Sequence, residues 1–411
     1  MRRSTYLAAT AAGAAGVINA HRPIARDGAM QVPSFVFGLL DSELPLGRVA
    51  TQAAIVGLAA RSGLLGNKSG KALAAVNMAT IAGALHLRYL GSQAGDVLEA
   101  ALIEELGTGY RDRIAPLPSP AQAVRRRGPM PLAHRRYVVG DSRNISYGDA
   151  GKRNLLDIWR RPDLPIDARA PVLVQVHGGA WTWGDKRGQA TPLMSTLAEH
   201  GWVCVSITYR LSPRATWPEH IVDVLRAIAW TKANIERYGG DPRFLAVTGG
   251  SAGGHLSALA ALAANDPAFQ PGFEDTDTSV QAAVPFYGSY DWLNRNLTNQ
   301  EGLGDFLAKR IVKQTIVDAR DLYDRASPLS RVRADAPPFF VIHGTCDSLL
   351  HVEQAREFAE SLRKASSSPV VYAELPGAQH AFDSFASPRT LATVDAVERF
   401  LGVVYGEYRN R

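Results

Sequence analysis

Cysteine is nearly absent. Two cysteines in 411 residues exclude a disulfide framework, and no His/Cys cluster has zinc or iron–sulfur spacing, so no structural metal is expected. Charged residues are also few, 20% against 46% hydrophobic, which excludes a disordered chain and leaves ample apolar material for a core. Long apolar runs are missing too. A membrane-crossing helix needs roughly 20 apolar residues, whereas Val49–Ala60 offers 12 and Ala72–Leu87 is interrupted by Asn77 and His86. These two stretches, separated by a polar turn around Gly63–Gly70, predict a helical hairpin packed on itself, on the rest of the chain or in a membrane interface.

What is present is unevenly spread. Residues 1–136 carry 16 basic and 8 acidic side chains, while 137–411 carry 29 and 31. Such asymmetry fits a basic appendage on a near-neutral globular domain. Met1–Ala20 opens with Arg2 and Arg3 before an Ala-rich stretch, so it reads either as an export signal or anchor or as a plain first helix. Residues 1–110 are thus an apolar helical region whose basic ends (Arg48, Arg61, Lys68, Lys71, Arg88) suit anionic headgroups. A membrane or cell-envelope surface is the expected partner, with a cytoplasmic location as the alternative. Residues 111–136, rich in Pro and Arg, predict a linker. The run Arg125–Arg127 has no interleaved aromatic residues, which argues against nucleic acid.

From 137 to 405 short apolar runs alternate with helical patterns. Tyr137–Tyr147 and Asn154–Arg160 predict an opening antiparallel pair. Val172–Val176, Trp202–Tyr209, Phe244–Thr248, Val280–Phe286, Phe339–His343 and Val370–Glu374 predict buried strands. Helices are expected over Thr191–His200, Ile221–Tyr238, Ala252–Ala264, Val352–Lys364 and Pro388–Val404. Alternation of this kind predicts an α/β fold: a mostly parallel central sheet with helices on both faces, plus the N-terminal helical region. Gly288–Arg333 breaks the alternation as a longer insertion that could cover a substrate.

One constellation carries chemistry. Gly249-Gly250-Ser251-Ala252-Gly253 is a G-x-S-x-G placed between an apolar strand and a helix, the sharp turn that lifts a serine hydroxyl clear of the backbone. Serine needs a base, and the base an orienting carboxylate. Asp347 follows the strand Phe339–His343 and His380 follows Val370–Glu374, both at the sheet edge where open α/β folds build sites. Asp321 and Asp383 are weaker alternatives to Asp347. His177-Gly178-Gly179-Ala180-Trp181 follows an earlier strand, and amides of Gly178, Gly179 and Ala180, with Ala252, would hold an oxyanion. His177 reads as a hydrogen-bonding support for that loop, and His255 and His343 as structural. Trp181, Tyr290 and Trp292 are candidates for lining the substrate pocket. Cys204 is expected in the core, unpaired with Cys346.

These motifs together resemble the hormone-sensitive-lipase-like branch of the α/β-hydrolase esterases. The resemblance covers about 137–405 and includes Tyr209-Arg210-Leu211-Ser212-Pro213 and Tyr238-Gly239-Gly240-Asp241-Pro242. It looks closest to actinobacterial carboxylesterases or lipases with a long apolar N-terminal extension, and 37 Arg against 8 Lys fits a GC-rich genome. The resemblance implies a serine carboxylesterase with Ser251 as nucleophile, His380 as base and Asp347 as acid. The substrate would be a small-molecule or lipid ester, of short to medium acyl chain, with no cofactor and no metal. An amidase, acylpeptidase or carbohydrate deacetylase on the same scaffold is the alternative. Two positions depart from the usual pattern. Ala180 replaces a third glycine, which narrows the pocket against bulky tertiary alcohols, and His351 stands where a proline often follows the acid loop.

Overall fold

Strands that are apolar at every position need cover on both faces. In the computed structural model, which describes residues 1–116, 133–138 and 140–411, eight strands form one sheet. They are β1 (Ile145–Ser146), β2 (Leu155–Trp159), β3 (Ala170–Val176), β4 (Val203–Ile207), β5 (Gly240–Gly250), β6 (Ala282–Phe286), β7 (Phe339–Gly344) and β8 (Val370–Leu375). Their order is β1-β2-β4-β3-β5-β6-β7-β8, with β3 to β8 parallel and antiparallel pairing only at the β1-β2-β4 edge.

Among the described residues thirteen α-helices accompany the sheet: α1 (Arg3–His21), α2 (Gln31–Glu43), α3 (Pro45–Arg61), α4 (Lys68–Ser92), α5 (Ala94–Leu106), α6 (Ala133–Tyr137), α7 (Thr191–Glu199), α8 (Glu219–Asn234), α9 (Ala252–Leu262), α10 (Leu303–Phe306), α11 (Arg320–Ala326), α12 (Val352–Ala365) and α13 (Pro388–Arg409). Side chains alternate between faces along each strand. Val172, Val174 and Val176 enter one core with α8, α9 and α12, whereas Leu173, Phe244 and Ala246 enter the other with α5, α7 and α13.

Two expectations change here. Among its described residues Tyr137–Tyr147 pairs only at Ile145–Ser146; Tyr137 ends α6, and Gly140 (φ 59°), Asp141 and Ser142 form a helical turn. Gly, Asp and Ser favour turns because they satisfy their own backbone or accept a left-handed φ. The N-terminal hairpin is present as α3 and α4, but it belongs to a four-helix group, and α5 with Tyr110 packs into the sheet's own core. Packing therefore divides the chain nearer residue 93 than 110. Most of the expected linker, 117–132, lies outside the described residues. No described helix is long and apolar enough to cross a membrane. Cys204 and Cys346 are both buried free thiols.

The helical group is anchored by a buried charge pair. Arg389, at the start of α13, bonds Glu43 at the end of α2, both fully buried, and Ser387 also donates to Glu43 at 2.6 Å. A second Arg389 nitrogen donates to Pro376 O at 2.9 Å. Removing one partner of such a pair leaves an uncompensated buried charge. Arg389→Met should therefore cost about 3–5 kcal/mol in urea unfolding; a loss below about 1 kcal/mol, the size of an exposed pair, would mean that water reaches Glu43.

Candidate active site

The site is built by the C-terminal ends of β3, β5, β6, β7 and β8. At the end of β5 the chain turns through Ser251, whose φ of 59° and ψ of −123° are strained for a residue with a side chain. The turn is held by Ser251 N–H donating to Phe286 O (3.0 Å) and by α9, which starts at once. Glycine is required beside it because the helix crosses β3 closely: a Cβ on Gly253 would lie 2.1 Å from Val176 O. Phe286 in turn leads into Tyr287, whose ring centre is 4.6 Å from that of His380.

Asp347 and His380 meet directly. His380 Nδ1 donates to Asp347 Oδ2 at 2.7 Å, and both side chains are buried. Asp347 Oδ1 accepts from Leu349 N and Leu350 N, both at 2.8 Å, and His343 Nε2 stands 3.1 Å from Oδ2. Burial would raise this carboxyl's pKa, but His380 and His343 outweigh it and hold the group well below the usual carboxylate range. Neither alternative bonds His380 among the described residues: Asp383 accepts from Tyr287 Oη beside it, and Asp321 is exposed at the start of α11. Among the described residues no hydrogen bond joins Ser251 Oγ to His380. Such contacts are often loose before substrate arrives.

The loop after β3 is contorted. Gly179, Ala180 and Trp181 have φ of 117°, 48° and 58°, and a Cβ on Gly179 would lie 2.2 Å from Trp183 O. Thr182 N and Trp183 N both donate to Gly179 O, and the amides of Gly179 and Ala180 have no acceptor among the described residues. Ala252 opens α9, where the first amides of a helix lack intrahelical partners. Gly178 differs from expectation. Its N–H donates to Gln189 Oε1 at 2.6 Å, so it braces the loop and leaves three amides for an oxyanion. Gly178 nonetheless lies against Ser251, whose Cβ would be 3.2 Å from a Cβ added there.

The aromatic residues need correction as well. Trp181, Tyr290 and Trp292 are at most 3% exposed. Tyr290 stacks on Phe358 with centroids 4.3 Å apart, and Trp292 stacks on His255 at 4.6 Å and meets Trp181 edge-on. They pack behind the elbow helix instead of lining an open pocket, because burial of large flat rings is worth more there than solvent contact. His255 is part of this box: Nε2 donates to Ala326 O (2.8 Å), Nδ1 accepts from Trp181 Nε1 (3.2 Å), and burial lowers its pKa to about 3. His177 donates from Nδ1 to Gly178 O and stacks on Tyr209, with its pKa lowered by burial to about 4. Both ring nitrogens of His255 are engaged, and burial disfavours the protonated form of either imidazole.

Several contributors escape sequence reading. Gln379 Oε1 accepts from His380 N and Ser348 N, both at 2.8 Å, tying the base loop to the acid loop. Phe35 of α2 meets the His380 ring edge-on at 5.8 Å, and Gln31 Nε2 donates to Leu349 O at 3.4 Å. Gly38 lets α2 lie on Gln379, whose Nε2 would be 3.0 Å from a Cβ there. Helix α2 therefore covers His380 and its loop. Only G-x-S-x-G-like motifs leave a local signal; Phe35 is 345 positions from His380.

Comparison with known proteins shows what the whole chain is similar to. The BD-FAE family model matches residues 156–362. A protein named "Probable carboxylic ester hydrolase LipM" from Mycobacterium tuberculosis is 49% identical over 98% of this chain and 94% of its own. "Esterase LipQ" from the same organism is 50% identical, covering 82% and 81%. Among solved structures, Thermogutta terrifontis esterase 2 phosphonylated by sarin superposes with a TM-score of 0.53 at 25% identity, over 63% of this chain and 92% of that one. With one family model spanning half the chain, and near-half identity extending over almost all of it, this protein belongs to the BD-FAE family of α/β-hydrolases.

Proposed function

We propose that this protein hydrolyses carboxylic esters through an acyl-enzyme on Ser251. Ser251 Oγ attacks the ester carbonyl while His380 takes its proton. The amides of Gly179, Ala180 and Ala252 hold the oxyanion, and the proton passes to the departing alkoxide. Water then attacks the acyl-serine by the same route. Asp347 keeps the His380 imidazole oriented and stabilises its charged form. The observation that carries this reading is the 2.7 Å Asp347–His380 bond on two strand-end loops beside the strained serine turn. The relatives' names support ester as the bond class, and an esterase phosphonylated by sarin supports a nucleophile open to an electrophilic centre.

The acyl group is of short to medium length in this reading. Phe35 closes α2 over His380, and the aromatic box behind α9 is filled, so little room is left for a long chain. Hydrolysis of p-nitrophenyl esters from acetyl to palmitoyl tests it. The rate should peak between acetyl and octanoyl and fall by about tenfold or more at palmitoyl. A palmitoyl optimum would reject the chain-length assignment, and faster cleavage of the matched anilide would reject the ester in favour of an amide.

A further inference from the structure

The helical group α1–α4 has its polarity reversed. In water a bundle buries its large apolar side chains and shows its polar ones. Here the seams are made by small and polar residues. Gly13 lies against Gln52, Gly16 against Asp41, and Asn77 donates to Thr10 Oγ1 at 2.7 Å and Asn19 to Ser34 O at 2.7 Å. The only apolar cluster inside is Val17, Ala20, Ala84 and Leu87, with Val49 beside it. Of the 20 large apolar side chains exposed among the described residues, 16 lie in residues 1–92. Along α2 and its two capping residues they form a ridge at every fourth position, Val32, Val36, Leu40 and Leu44, flanked by Phe37 and Met30, each 42–61% exposed. Small residues at seams, polar cross-links between helices and large apolar groups outside are the pattern of helices solvated by lipid.

The charge points the same way. Residues 1–92 hold nine basic and three acidic side chains, a net +6, whereas 93–411 balance. All three acids have a basic neighbour, Asp41 with Arg48, Glu43 with Arg389 and Asp27 with His351 at 3.7 Å. Seven basic side chains of this segment are exposed, from Arg2 and Arg3 to Arg61, Lys68, Lys71 and Arg88, and none has a carboxylate partner among the described residues. No helix here is long and apolar enough to cross a bilayer. Helices with an apolar outer face and cationic flanks lie in the interface plane.

We infer that α1–α4 dock on the surface of an anionic lipid bilayer, with the outer ridge of α2 entering the acyl boundary. The inner side of the same helix carries Phe35 against His380, so docking holds the base within one helix diameter of the lipid. The docking itself does not depend on the proposed ester hydrolysis; only the supply of lipid-borne esters to the site rests on that reading.

The test uses the full chain and sedimentation with phosphatidylcholine vesicles, with or without phosphatidylglycerol. Wild type should pellet with the anionic vesicles at low salt and be released as salt is raised. Val36→Glu/Leu40→Glu, and separately Lys68→Glu/Lys71→Glu, should each weaken partition by about tenfold or more. Both should hydrolyse a soluble short ester at the wild-type rate, which shows that they are folded. Ser251→Ala should bind vesicles like wild type, so failure of the catalytic reading is separable from failure of docking. Wild type that ignores anionic vesicles at low salt overturns the inference. So does a chain that dimerises through this ridge, made monomeric by Val36→Glu/Leu40→Glu, without binding vesicles, because a second copy would then be the occupant.

Discussion

Ser251→Ala is expected to lower turnover of a p-nitrophenyl ester roughly 10⁴- to 10⁶-fold, with little change in stability. The loss is large because the variant has nothing to form the acyl-enzyme, and only the oxyanion amides and binding contacts still assist water. The fold should survive. The turn is held by backbone, with Ser251 N–H on Phe286 O and His255 N–H on Ser251 O at 2.9 Å, and alanine retains both bonds. Alanine inherits the strained φ of 59°, a cost of about 1–3 kcal/mol that wild type already bears. Turnover and thermal unfolding of both proteins check the prediction together. A variant within tenfold of wild type would remove Ser251 from the mechanism.

Asp347→Asn should cost nearly as much, roughly 10⁴-fold in kcat. The carboxylate is an acceptor on every side: Oδ1 for Leu349 and Leu350 amides, Oδ2 for His380 Nδ1, with His343 Nε2 close by. An asparagine keeps the first pair through its carbonyl but turns N–H donors toward two ring nitrogens that must themselves donate. His380 then has to take the tautomer whose Nε2 carries the proton, and that nitrogen can no longer accept one from serine. Stability should change with a definite sign. A carboxyl held below its unfolded pKa contributes stability above about pH 4, and that contribution fades as pH falls through the depressed folded value. The stability gap between wild type and Asp347→Asn should thus be full at neutral pH and narrow in acid. Near-normal kcat in the variant would return the acid role to another carboxylate, with Asp383, already bonded to Tyr287, the nearest to examine.

The parts of the site legible in the sequence are those in which chemistry and backbone share one short segment. Gly253 must be glycine because Val176 O leaves no space for a Cβ, so the elbow carries its own signature. The common sheet edge of Ser251, Asp347 and His380 followed from strands that alternate with helices, since each loop then falls at the same end. Tyr137–Tyr147 was misleading because its few β-branched and aromatic residues were outweighed by turn formers at Gly140–Ser142. Trp181, Tyr290 and Trp292 were near the site in sequence, yet which way a large ring turns is decided by the cavity it can fill.

What the sequence determined by itself is therefore the alternating layered architecture, the strand-end position of Ser251, Asp347 and His380, and the small-residue loop at Gly178–Ala180 beside them. Those depend on local periods and on steric exclusion within a few residues. Only the tertiary structure decided that Gln189 occupies the Gly178 amide, that Gln379 ties acid to base, that Phe35 lies on His380 and that the N-terminal helices turn their large side chains outward. Each is a contact between segments far apart in the chain or a choice between two faces of one helix. Such contacts are selected by packing across the whole molecule, which leaves no periodicity or spacing in the sequence to read.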